Sequence, residues 1–154
     1  MPAVYQHWLD EDVRWIISAE EKRAFESLKD NQERDQFITQ FWLRRDPTPG
    51  TSENEFKEEH YRRLAYSNEH FAAGVLGDLT DRGRVYIVYG PPDLIDHPAI
   101  SVTPKEIWHY EVLAQPGHFV GYEGKQPPSR NPADFEFVDT CRCGDYHLMT
   151  PLPK

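Results

Sequence analysis

Residues 80–93, TDRGRVYIVYGPPD, run from a charged start through five apolar residues to a Gly-Pro-Pro-Asp turn. The fold turns on how this stretch is read. Val85 to Tyr89 has no polar alternation, the pattern of a strand covered on both faces. Asp81 and Arg82 before Gly83 read as a tight turn feeding that strand. Gly90, Pro91 and Pro92 read as its rigid stop, with Asp93 projecting from it. A phosphate cradle is excluded, because it works by aiming several backbone N–H groups at an anion. Pro91 and Pro92 have none, and the next lysine is Lys105. The stretch builds the protein.

Upstream, the spacing is helical. Tyr5, Trp8, Leu9, Val13 and Ile16 predict one amphipathic helix. Ser18 with Glu21 forms a capping box, in which the serine accepts an amide of the first turn and the glutamate reaches back. Phe37, Ile38, Phe41 and Trp42 share one face of a helix in NQERDQFITQFWLRRD, residues 31–46. Pro47 ends it by pushing the preceding residue out of the α region. A second capping box, Ser52 with Glu55, opens a fourth helix carrying Phe56, Leu64 and Phe71, with His60, Tyr61 and Ser67 close to that stripe.

The period changes near Gly77. After Val85–Tyr89, four shorter strands are expected in EIWHYEV (106–112), HFVGY (118–122), FEFVD (135–139) and YHLM (146–149), separated by segments rich in proline and glycine. Helices first and strands later predict an α+β fold. The N-terminal helices, to about residue 76, pack on one face of a C-terminal antiparallel sheet over about 77–150. All 154 residues read as a single domain, long enough to bury a real core.

Lysine and arginine number 17 against 26 aspartates and glutamates, a formal charge of −9. Such a chain repels phosphate backbones, and no basic stripe with interleaved aromatics is present, so nucleic acid is not the expected partner. No apolar run is long enough to span a bilayer, and no signal-peptide core follows Met1.

The residues now permit a comparison. The early WL, EEKRAFESL, ERDQFITQFWLRRDPTPGT, NEF, DRGRVYIVYGPPD, IWHY and the final FEFVD resemble, in that order, the bacterial GWxTD domain. Here the naming motif reads GDLTD, with Asp78 where the family carries tryptophan, so no role of that tryptophan transfers to this chain. The resemblance implies an exported, cell-envelope (periplasmic or outer-membrane-associated) protein and a domain of uncharacterised molecular function. GPPD followed by IWHY is also similar to the Gly-x-Pro…Trp-x-Tyr pattern of small lipoproteins in outer-membrane assembly. Those are non-catalytic interaction modules.

Catalytic signals are thin. There is no Gly-x-Ser-x-Gly elbow. Cys141 with His147 or His109 offers a thiolate and a base, against the plainer reading of two strand-end thiols. Cys141, Cys143 and His147 offer zinc three ligands where a structural site wants four, so no metal and no cofactor are expected. Glu106 and His109 match Glu-x-x-His spacing, but in a strand they point to opposite faces. The candidate ligand-binding cluster is Arg44, Arg45, Asp46 and Glu55 with Asp81, Arg82 and Asp93, types that orient anions or sugars and that also tie loops down. The expected function is a non-enzymatic module binding a protein or small ligand. The alternative is a hydrolase or sugar-active enzyme using carboxylates such as Glu55 and Asp81.

Overall fold

The structure, a computed structural model, describes residues 1–114 and 132–153. Its helices are α1 (Ala3–His7), α2 (Ala19–Ser27), α3 (Asn31–Arg45), α4 (Glu55–His70) and α5 (Asp81–Tyr89). Its strands are β1 (Leu94–Asp96), β2 (Lys105–Tyr110), β3 (Ala133–Val138) and β4 (His147–Leu148). The strands form one antiparallel sheet in chain order, with Trp108 opposite both Ile95 and Phe135. The fold is α+β, with the helices mostly N-terminal. The expected strand at 118–122 lies outside the described residues.

The apolar run at Val85–Tyr89 is helix, which corrects the central-strand reading. Thr80 caps α5 by accepting the Gly83 N–H on its hydroxyl at 3.0 Å. Glycine here is sterically required. A Cβ on Gly83 would lie 1.9 Å from the Gly77 carbonyl oxygen, and one on Gly77 would lie 1.7 Å from that of Ser67. The β-branched residues that favour a strand are overruled, because a helix at this place buries Val85, Ile87 and Val88. A short apolar run does not by itself distinguish a buried strand from a buried helix. Gly90, at φ 84°, ends the helix in the left-handed region, and its N–H donates to the Tyr86 carbonyl at 2.7 Å. Gly-Pro-Pro is thus a helix stop.

Two smaller expectations also change. The segment expected as one helix through Ile16 is α1 followed by a π-helical turn, Trp8–Asp12. The Val13 N–H reaches back to the Trp8 carbonyl, and the wider turn buries Trp8, Leu9 and Val13 together. The cap of α4 is Asn54 rather than Ser52. Its Oδ1 accepts the Lys57 N–H while its Nδ2 donates to the Trp42 carbonyl, so one side chain starts α4 and closes α3. The Ser18–Glu21 box forms as expected, and α3 ends at Arg45, just before Asp46-Pro47.

The core has two parts. Trp8, Leu9, Val13, Phe25, Phe41, Trp42 and Phe56 fill the space among the first helices. Phe71, Val85, Trp108, Tyr110, Leu113, Phe135 and Phe137 fill the space between α5 and one face of the sheet. Helix α4 supplies Phe56 to the first and leads into Phe71 of the second. It connects them.

Gly77→Ala should therefore lower the melting temperature sharply, since the clashing atom is backbone; the cost is expected at about 3 kcal/mol or more. Ile87→Asp should unfold the domain by placing a carboxylate in an apolar site. Thermal melts followed by circular dichroism check both, and a wild-type midpoint for either would contradict the packing of α5.

Candidate functional site

The seven candidate polar residues occupy three places. At the first, the Glu21 carboxylate accepts from Arg44 Nη2 at 2.9 Å and from Arg45 at 2.8 and 3.0 Å, and it also takes the Ser18 N–H. Arg45 stacks 3.7 Å over the Phe41 ring and reaches the Phe41 and Ile16 carbonyls. Burial alone would push the Glu21 carboxyl up. The Arg45 hydrogen bonds, the Ser18 amide and Arg44 outweigh it and bring the pKa down to about 2. Asp46 and Glu55 meet nearby through Thr48, whose N–H donates to Asp46 and whose hydroxyl donates to Glu55.

The second place is the first turn of α5. Asp81 accepts the Leu148 N–H at 2.7 Å, binding β4 to the helix. Arg82 donates to Glu106 at 3.2 Å and to the Gly144 carbonyl at 3.0 Å, between the rings of Phe71 and Tyr146. Glu106 in turn accepts the Trp108 indole N–H. The third place is Asp93, which takes the Glu111 N–H at 2.7 Å across the β1–β2 pair. No hydrogen bond or ion pair among the described residues joins Glu55 to Asp81.

The fold buries several polar residues outside the candidate cluster. Asp78 is 5 % exposed, with one carboxylate oxygen unpartnered. Burial, then Glu11, raises its pKa. Its carbonyl accepts the Trp15 indole N–H at 2.6 Å. His60 of α4 is also buried: its Nε2 meets the Asp12 carbonyl at 2.6 Å, and Tyr61 donates to the Asp12 carboxylate. Burial lowers the His60 pKa to about 4. A groove of about 310 Å³ lined by Leu9, Asp10, Arg14, Ile17 and Lys22 lies along the N-terminal segment. Asp139, 4 % exposed, underlies the Cys141–Gly144 turn. Its signal was present in the chain, an aspartate just before a Cys-x-Cys-Gly turn.

His147 does not join the cysteines; it faces Asp145 and Asp81. Asp139, Cys141 and Cys143 instead hold ligand-type atoms within 4.8 Å of one another, but the two sulfurs are bonded together in a disulfide. His109 pairs with Asp134 across the sheet. Cys141 Sγ lies 3.3 Å from the Asp139 carboxylate, with its sulfur tied in the disulfide.

These features define an α+β domain whose charged residues mainly join its own elements. A family model for the GWxTD domain matches residues 4–139, and the chain belongs to that family. Comparison with curated proteins and with solved structures found no match.

The lowered Glu21 pKa contributes stability that is present above the unfolded value and is lost as pH falls from about 4.5 toward 2. His60 acts earlier, because the unfolded chain takes up its proton between about 6.5 and 4. Asp78 works in the opposite sense, favouring the fold at low pH. Glu21→Gln should cost roughly 1–2 kcal/mol at neutral pH after allowance for solvent screening. It should also flatten the acid limb below pH 4.5 in melts taken across pH; an unchanged limb would contradict the Glu21 assignment.

Proposed function

We propose that this domain is a non-enzymatic interaction module of an exported, cell-envelope bacterial protein, and that it binds an extended segment of a protein partner along β1. The observation that carries this reading is the sheet edge. Among the described residues β1 pairs on one side only, and all three of its residues are exposed. Leu94 and Ile95 lie open there, and Ile100 and Val102 follow in the connection to β2, at 98 % and 87 % exposure. An open edge offers backbone hydrogen bonds to an incoming strand, and exposed apolar residues give it side-chain contacts. The flanking Asp93 and Asp96, in a chain of charge −9, favour a partner segment carrying lysine or arginine.

The enzymatic alternative gains no support from the polar residues. Glu55 is held by Thr48 and Asp81 by the Leu148 amide, and each tie serves the fold. The export expectation rests on family membership and joins the proposal on that basis.

The test pairs a surface variant with a structural one. Leu94→Lys combined with Ile100→Lys should keep the wild-type melting temperature and lose a partner that wild type retains from an envelope fraction. Amides of β1 should gain hydrogen-exchange protection when that partner binds. Asp81→Ala should lose about 1 kcal/mol of stability, with binding weakened only in step with the fold. A well-folded Asp81→Ala that no longer holds a small ligand bound by wild type would sink this reading in favour of an acidic site. Partner retention unaffected by the two lysines would rule out β1 as the surface.

A further inference from the structure

Cys141 and Cys143 close a disulfide across the exposed turn after β3, with their Cα atoms 5.2 Å apart. A bridge between residues two apart removes little chain entropy from the unfolded state, so it does little as a structural staple. Arg142 between the two cysteines has φ 55°, in the left-handed region that non-glycine residues rarely adopt. Beneath the turn lies the buried Asp139. Its Oδ1 accepts the Cys143 N–H at 3.2 Å, and its Oδ2 accepts the Gly144 N–H at 2.9 Å. The same Oδ1 lies 3.3 Å from Cys141 Sγ.

We propose that Cys141–Cys143 is a thiol–disulfide exchange site, in which Cys143 meets the external reagent and Asp139 takes the proton from Cys141. The reagent is a low-molecular-weight thiol or its disulfide. A carboxylate in contact with Cys141 Sγ disfavours negative charge on that sulfur, so in the dithiol form Cys141 keeps its proton and Cys143 supplies the thiolate. The Cys143 thiolate attacks one sulfur of the external disulfide, RS–SR. A Cys143–SR bond forms, the RS–SR bond breaks, and the departing RS⁻ is protonated by solvent. Cys141 then passes its proton to the Asp139 carboxylate as its sulfur attacks Cys143 Sγ. The Cys143–SR bond breaks, the second RS⁻ leaves, and the proton on Asp139 returns through solvent to yield RSH. One dithiol and one RSSR thus become one protein disulfide and two RSH, with two electrons transferred; reduction is the reverse. The proposal is independent of partner binding at β1.

The test equilibrates the domain with glutathione buffers of varied thiol-to-disulfide ratio, quenches by alkylation and counts adducts by mass spectrometry, with circular dichroism in parallel. Both cysteines should convert together between no alkyl groups and two, with the fold retained. Cys141→Ser should accumulate a glutathione adduct on Cys143. Cys143→Ser should react at Cys141 more slowly by about tenfold. Asp139→Asn should slow collapse of the mixed disulfide by about tenfold or more. A pair that stays in one state across the series, or converts only in denaturant, would overturn the site. Equal reactivity of the two serine variants would overturn the role given to Asp139, and this comparison decides the matter should Asp139→Asn fail to fold. Binding of one zinc per reduced domain, lost in Cys143→Ser, would also overturn the proposal by making the turn a metal site.

Discussion

The fold depends on a backbone contact that only glycine permits. Gly83 on α5 lies against the Gly77 carbonyl, and Gly77 lies against the Ser67 carbonyl of α4. Two adjacent positions without a Cβ let α5 press onto α4 closely enough to bury Val85 and Ile87. With α5 seated there, its first turn reaches the sheet and its last turn reaches α4. A side chain at either glycine would separate the two cores that α4 connects.

Both ends of α5 are then tied to other elements by polar groups. At its start Thr80 caps the helix, Asp81 accepts the Leu148 amide, and Arg82 donates to Glu106 and to the Gly144 carbonyl. At its end Arg63 of α4 donates to the Ile87 carbonyl, and the Tyr110 hydroxyl donates to the Gly90 carbonyl at 2.6 Å. A cation beneath a helix C-terminus meets its exposed carbonyls and the negative end of its dipole. Glu21 does similar work among the first helices, drawing Arg44 and Arg45 onto the start of α2. Arg44, Arg45, Asp81 and Arg82 of the candidate cluster thus also join elements of the fold.

Among the described residues, the β1 edge and the cysteine turn are both exposed. They are physically linked. Arg142 donates to the Val102 carbonyl at 2.7 Å, joining the turn to the loop that carries the exposed Ile100 and Val102. Arg82, through Gly144 and Glu106, joins the same turn to the buried face of the sheet.

Local chemistry made much of this legible in the chain. The Ser18–Glu21 box, the stop of α3 before Pro47, the aromatic face of α3 and the alternating strands β2 and β3 follow from interactions within a few residues. The order of helices before strands fixed the α+β class, and the sequence matches fixed the family. What lay beyond reach depended on neighbours distant in the chain. Val85–Tyr89 suits a buried strand and a buried helix equally, and the close approach of Gly83 to Gly77, and of Gly77 to Ser67, goes with the helix. Asn54 and not Ser52 is the cap, and its side chain also reaches the Trp42 carbonyl twelve residues back. Arg44 and Arg45 found Glu21 across more than twenty residues, while Asp81 found Leu148 across sixty-seven. Spacing along a chain determines which faces are apolar and where elements begin and end. Which charge meets which, and whether a short apolar run coils or extends, is decided by packing, since the deciding contacts exist only once distant segments are brought together.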